Sequence, residues 1–125
     1  MAMNVTGEQR GDVYVLRFFD EVVISKLPSI REKVEEFDLD SANKVLIDLE
    51  KVTFFDSSGL GYLVILMKRI KGNDGKVAIC SPSELVMKLL KMIKIDKYVR
   101  IFPDQESAIE YLNSPASEEE VAQTG

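Results

Sequence analysis

Residues 44–61 read KVLIDLEKVTFFDSSGLG, and this stretch decides the fold. It starts with a continuous apolar run, Lys44–Leu49, that extends to Phe55 and is typical of a strand buried on both faces in a parallel sheet. After Asp56 the apolar positions of Leu60–Ile70 recur with helical spacing. The sequence therefore predicts a strand that passes into a crossover helix at Asp56.

The chemistry of the predicted helix start points to a site. Asp56 is a preferred N-cap, which places Ser57 and Ser58 at the first two helical positions, near the positive end of the helix dipole. Gly59 and Gly61 each cost about 1 kcal/mol relative to alanine inside a helix. One explanation is access, because two missing side chains let another molecule approach the serines. The other is structural: Asp56 only caps the helix, and the glycines allow close packing on the sheet.

The rest of the chain alternates between strand and helix patterns, which predicts right-handed parallel crossovers after an N-terminal hairpin. The expected strands cover residues 5–9, 13–19, 44–49 with an extension to 55, 77–80 and 99–102. The expected helices cover 25–37, run from 57 to a turn at 72–75, open at 81–84, and cover 105–112.

Composition and charge bound the function. The chain has 125 residues, enough for one small domain, with 16 basic and 21 acidic residues and a net charge of −5. This balance disfavours nonspecific nucleic-acid binding, which depends on clustered Lys and Arg. The first ten residues lack the apolar core of a signal peptide, and no apolar run approaches the ~20 residues of a membrane span. A cytoplasmic protein without a membrane partner is expected.

The side chains needed for common catalytic sites are missing. The chain has no histidine, so neither the usual zinc site nor a histidine-assisted nucleophile is expected. The single cysteine, Cys80, lies in an apolar strand pattern and is expected to pack as a small hydrophobe. We therefore expect a protein that is not an enzyme and that needs no cofactor and no metal.

The segments Val45–Leu49 and Val52–Gly61 together resemble the signature of the STAS family, and most closely that of bacterial anti-sigma-factor antagonists. The resemblance covers the chain from about Val5 to about Leu112. It implies an α/β fold: a STAS-like single domain with a small mixed β-sheet of four to five strands, covered mainly on one face by about four helices. The domain is expected over residues 1–113, with residues 114–125 as a disordered C-terminal tail.

The resemblance also implies roles for the residues around Asp56. Carried over by position, Ser57 is the serine that a partner anti-sigma factor with serine kinase activity phosphorylates. Ser58 is the supporting hydroxyl, and Asp56 shapes the loop and contacts the partner. With Gly59, Gly61, Asp20 and Glu21, these residues form the expected partner-binding site.

The implied cycle is partner switching. The unphosphorylated domain, expected to be a monomer alone, binds the anti-sigma factor and so frees a sigma factor. Phosphorylation releases the anti-sigma factor, and a phosphatase resets the cycle.

The segment Asp20–Val23 departs from the family pattern. The family usually carries a Gly-Glu-Leu-Asp or Gly-Glu-Ile-Asp segment after the second strand. Here Asp20 replaces the glycine, Val23 replaces the final acid, and Glu21 is retained. Two alternatives to the antagonist role therefore stay open: a divergent STAS domain that senses a small ligand or nucleotide, and a signalling scaffold or transporter-associated domain.

Overall fold

The computed structural model describes residues 4–115, which form five strands and four α-helices. The strands are β1 (Val5–Arg10), β2 (Val13–Val22), β3 (Lys44–Phe55), β4 (Lys76–Cys80) and β5 (Arg100–Phe102). The helices are α1 (Leu27–Glu35), α2 (Ser57–Gly72), α3 (Glu84–Met92) and α4 (Gln105–Asn113). Short 3-10 turns precede α1, β3 and β5.

The strands form one mixed sheet in the order β1-β2-β3-β4-β5. The β1–β2 hairpin is antiparallel, and Gly11 supplies the left-handed turn residue with φ of +61°. All other neighbouring strands are parallel, because a helix returns the chain to the same end of the sheet after β2, β3 and β4. The predicted α/β architecture and its N-terminal hairpin are confirmed.

Side chains alternate between the two faces of β3, and each face has its own core. Val45, Ile47 and Leu49 face the larger core, which includes buried residues of α1, α2 and α3. Leu46 faces the smaller core, to which α4 contributes Ala108 and Leu112. The helices thus lie mainly on one face, as predicted, and α4 alone covers the other face within residues 4–115.

A buried carboxylate joins α4 to the sheet. Asp48 is 1% exposed. Its Oδ2 accepts hydrogen bonds from Arg17 Nη2 at 3.0 Å and from Gln105 Nε2 at 2.6 Å. Its Oδ1 accepts the backbone N–H of Glu50 at 2.9 Å. Since a buried charge needs such partners, Asp48 is a structural residue of the α4 face.

Two elements differ from the sequence prediction. Strand β2 continues past residue 19 to Val22, because β3 is long enough to pair with it beyond two irregularities in register. Helix α1 begins at Leu27, after a 3-10 turn at Ile24–Lys26, with Pro28 in its first turn. No helix within residues 4–115 combines the length and the apolar character that a membrane crossing requires.

The end of the chain is described only in part. Ser114 is held by the Lys76 ammonium, which donates to its carbonyl oxygen at 3.3 Å. The tail predicted from residue 114 onward otherwise lies, from residue 116, outside the described residues.

Candidate functional site

Asp56 joins the start of α2 to the end of β2. As the N-cap, its Oδ1 accepts the backbone N–H of Gly59 at 2.7 Å. Its Oδ2 accepts a hydrogen bond from the backbone N–H of Ile24 at 2.9 Å. Ile24 is the first residue of the 3-10 turn that follows β2. The hydrogen bonds from Ile24 and then from Gly59 lower the pKa of the Asp56 carboxyl from its ordinary value. The predicted N-cap is confirmed. The Asp56 side chain also accepts a hydrogen bond from Ile24, which capping of α2 does not require.

Ser57 is the first residue of α2 and is exposed. Within residues 4–115 no side-chain hydrogen bond holds its hydroxyl. Ser58 is half-buried, and the next residue, Gly59, is buried. The structure therefore presents the Ser57 hydroxyl to solvent at a rigid helix terminus.

The two glycines of the motif have different environments. A Cβ added to Gly59 would lie 1.9 Å from the carbonyl oxygen of Val22, a distance at which the backbone must shift. The same carbonyl accepts the N–H of Asp56 at 3.3 Å. A Cβ on Gly61 would meet nothing within 4 Å. Of the two explanations, the structure supports close packing for Gly59, whereas Gly61 is exposed and leaves the surface open, as the access explanation requires.

Asp20 and Glu21 lie at the end of β2, beside the end of β3. Glu21 is in register with Phe54, two residues before Asp56, and both acidic side chains are exposed. No side-chain hydrogen bond joins either of them to Ser57 in the described part of the chain. Asp20 has φ of +57°, the left-handed region that glycine adopts at little cost. This backbone conformation explains why glycine suits this position and shows that Asp20 is held with strain.

A groove runs beside Ser58 between α1 and α2. Its volume is about 340 Å³, and its walls include Ile24, Leu27, Arg31, Ser58, Gly61 and Ile65. Ile24 and Ile65 are 65% and 61% exposed, which is unusual for isoleucine. The Arg31 guanidinium lies 5.5 Å from the centre of the Tyr62 ring.

Sequence reasoning predicted Ser58 and Gly61 as site residues but missed the other groove residues, Ile24, Leu27, Arg31 and Ile65. The only local sequence signal for these residues is Ile65, an isoleucine on the outward side of α2, where the other apolar positions of the pattern face inward. Arg31 carries no such signal, because a single arginine on a short amphipathic helix is ordinary. Within residues 4–115 no group of three or more His, Cys, Asp or Glu side chains is placed to hold a metal ion.

Comparisons with known proteins identify the family. The model of the STAS domain matches residues 4–108, so the chain belongs to the STAS domain family. It is 31% identical over 100 residues to the Thermotoga maritima protein named "Putative anti-sigma factor antagonist", covering 79% of this chain and 88% of that protein. It is 24% identical over 92 residues to the anti-sigma-B factor antagonist of Staphylococcus aureus, covering 74% and 85% of the two chains.

Solved structures show the same fold. A crystal structure of a Thermotoga maritima protein with the first of those names superimposes with a TM-score of 0.81 at 27% identity, covering 88% of this chain and 95% of that one. The anti-sigma factor antagonist SpoIIAA in its unphosphorylated form has a TM-score of 0.72 at 22% identity, with coverage of 90% and 99%. SpoIIAA from Bacillus in its phosphorylated form has a TM-score of 0.66 at 22% identity, with coverage of 87% and 99%. The predicted membership of the STAS family, with anti-sigma factor antagonists as relatives, is confirmed.

The two glycines should respond in opposite ways to alanine. Gly59→Ala should destabilise the protein, because its methyl group would overlap the Val22 carbonyl. Gly61→Ala, the matched control, should stabilise it by about 0.5–1 kcal/mol, since alanine is the better helix former and the space is open. Urea denaturation measures both. Equal effects of the two substitutions would contradict the close approach at Gly59.

The stabilising effect of Asp56 should depend on pH. Its lowered pKa means that the folded state favours the carboxylate, so the contribution is complete above the ordinary aspartate value of about 4 and is lost as pH falls through the lowered value. Asp56→Ala should lower the thermal midpoint at pH 7, and the gap to the wild type should close in acid.

Asp104→Ala is the matched control. Asp104 caps α4, and within residues 4–115 its carboxylate accepts hydrogen bonds from Ser107 of its own helix and from no other residue. Loss of the Asp56 carboxylate also leaves the Ile24 N–H without its partner. The thermal midpoint of Asp56→Ala should therefore fall further than that of Asp104→Ala. An equal fall in the two variants would show that the contact between Asp56 and Ile24 contributes nothing to stability.

Proposed function

We propose that this protein is an anti-sigma-factor antagonist controlled by phosphorylation of Ser57. In the unphosphorylated state it binds an anti-sigma factor that is also a serine kinase, and so frees a sigma factor for transcription. Phosphorylation of Ser57 by that partner ends the binding, and a phosphatase resets the cycle. The cycle takes place in the cytoplasm, the protein is a monomer when alone, and it is not an enzyme.

The observation that carries this proposal is the exposed Ser57 hydroxyl at the start of α2. The residues around it are engaged in the fold: Asp56 caps the helix and holds Ile24, and Gly59 packs on Val22. Of the two serines of the motif, Ser57 is exposed whereas Ser58 is half-buried, which favours Ser57 as the residue that is modified. SpoIIAA, a protein of the same fold, has been solved in phosphorylated and unphosphorylated forms, which supports a proposal of control by phosphorylation.

The position of Ser57 explains how a phosphate changes binding without unfolding the domain. Phosphorylation adds about −1.5 to −2 charges and three acceptor oxygens. The Asp56 carboxylate already accepts the N–H of Gly59 in the first helical turn, and the exposed Ser57 hydroxyl leaves room for the phosphate to extend into solvent. The fold keeps its contacts, while a docked partner meets new charge and bulk. A difference of about 3 kcal/mol would change affinity more than a hundredfold.

The two acidic residues at the end of β2 are proposed to belong to the same partner-binding surface as Ser57. Asp20 keeps a carboxylate at a backbone position where glycine would be less strained, and Glu21 follows it on the exposed strand end. Residues that retain strain often serve a function, because stability alone would select against them. We propose that both carboxylates contact the partner.

The phosphorylation step is tested by mass spectrometry. The purified chain is mixed with ATP and each kinase-type anti-sigma factor encoded in the same genome, and the intact mass is followed. We expect the wild type to gain one phosphate and Ser57→Ala to gain none. The proposal fails if no candidate partner transfers phosphate, or if the gain persists in Ser57→Ala.

Ser58→Ala is the matched control for this experiment. It removes the neighbouring hydroxyl, which is half-buried, and should leave the gain of one phosphate in place. If Ser58→Ala loses phosphorylation and Ser57→Ala does not, the phosphate acceptor is Ser58 and not Ser57.

Asp20→Gly should separate stability from binding. Glycine relieves the left-handed strain and should raise the free energy of unfolding by up to about 1 kcal/mol, while partner affinity falls with the lost carboxylate. Urea denaturation and calorimetric titration with the anti-sigma factor measure the two effects. Asp74→Gly is the control, because Asp74 has φ of +62° in the turn after α2 and should change stability only. Unchanged affinity of Asp20→Gly would remove Asp20 from the binding surface.

A further inference from the structure

The groove between α1 and α2 has the shape and lining of a side-chain pocket. Ile24 and Ile65 are 65% and 61% exposed on its walls, and Gly61 leaves open space between them. Exposed apolar residues that surround a concave space gain most when another apolar group displaces the water between them. The volume of about 340 Å³ accommodates one large apolar side chain.

Arg31 gives the groove a charge without a partner. Within residues 4–115 the Arg31 guanidinium forms no ion pair, and it lies 5.5 Å from the centre of the Tyr62 ring. The nearby Glu35 carboxylate is taken by Arg69, whose Nη1 lies 2.6 Å away. Burial, with Glu35 as the second cause, raises the pKa of Tyr62 to about 12. Among the described residues, the Arg31 charge at the rim of the groove is therefore positive and not held in an ion pair.

We propose that this groove receives an apolar side chain of the binding partner and that Arg31 pairs with a carboxylate beside that side chain. The proposal rests on the antagonist function proposed for Ser57 and names the chemistry of the partner at that site. Arginine forms bidentate hydrogen bonds with carboxylates, and stacking on an aromatic ring holds the guanidinium in place for them.

The location of the groove explains why a phosphate on Ser57 would release such a partner. Ser58 lines the groove, and Ser57 is its neighbour in the chain, about 3.8 Å away between Cα atoms. A phosphate there repels an incoming carboxylate, because both groups are negative. Phosphorylation thus disfavours binding of the same partner carboxylate that Arg31 is proposed to pair with.

Capped six-residue peptides test this chemistry without the natural partner. Each peptide has an alanine background with one leucine and either one aspartate or one lysine, and binding is followed by nitrogen-15 NMR titration of the full chain. We expect the leucine–aspartate peptide to shift the amides of Gly61 and Ile65 and to bind at least about fivefold more tightly than the leucine–lysine peptide. Arg31→Glu should reverse this order, and Ser57→Asp should weaken only the aspartate peptide.

Two variants control for surface and fold. Ile65→Lys should abolish binding, whereas Met92→Lys should not, because Met92 is a comparably exposed residue (73%) on α3 and lies outside the groove. Both positions are exposed, so the thermal midpoints should stay near that of the wild type. Equal binding of the two peptides, shifts on α3 instead of the groove, or no detectable binding would each overturn the proposal. Self-association abolished by Ile65→Lys would also overturn it, by making a second copy the occupant.

The outcome is separable from that of the proposed function. If Ser57 is phosphorylated by an anti-sigma factor but the peptides are not discriminated, only the chemistry assigned to the groove fails. If the peptides are discriminated but no kinase-type anti-sigma factor modifies Ser57, the groove stands as a recognition site and the antagonist function fails.

Discussion

The carboxylate of Asp56 is the contact on which the site depends. One oxygen caps α2 through Gly59, and the other holds Ile24 at the start of the turn that leads into α1. A single side chain thus fixes two helices relative to the end of the sheet. Because residues of α1 and α2 line the groove, Asp56 links its two walls at the end where Ser58 lies.

The close approach of Gly59 to Val22 serves the same purpose by steric means. The Val22 carbonyl lies where a Cβ would stand and also accepts the N–H of Asp56. Backbone against backbone is the tightest packing that a strand end and a helix start can reach. The cost of glycine in the helix is therefore offset by a rigid junction, and the neighbouring serine is exposed on a support that does not need to move.

The candidate site carries charges of both signs at separate places on its surface. The net charge of −5 gives no general attraction for acidic molecules, yet Arg31, which forms no ion pair within residues 4–115, lies at the groove while Asp20 and Glu21 lie at the end of β2. A partner that fits both must present charges of both signs in a fixed arrangement. Such patterns contribute specificity more than affinity.

The sequence by itself determined the order of strands and helices, the hairpin, the N-cap at Asp56 and the place of Ser57, because each depends on residues close together in the chain. It did not determine the second bond of Asp56, the packing role of Gly59, or the groove at Arg31. These contacts join distant positions, such as residues 24 and 56, and local patterns carry no information about which segments meet. The tertiary structure decided them, since the strand pairing of β2 with β3 brings those segments together.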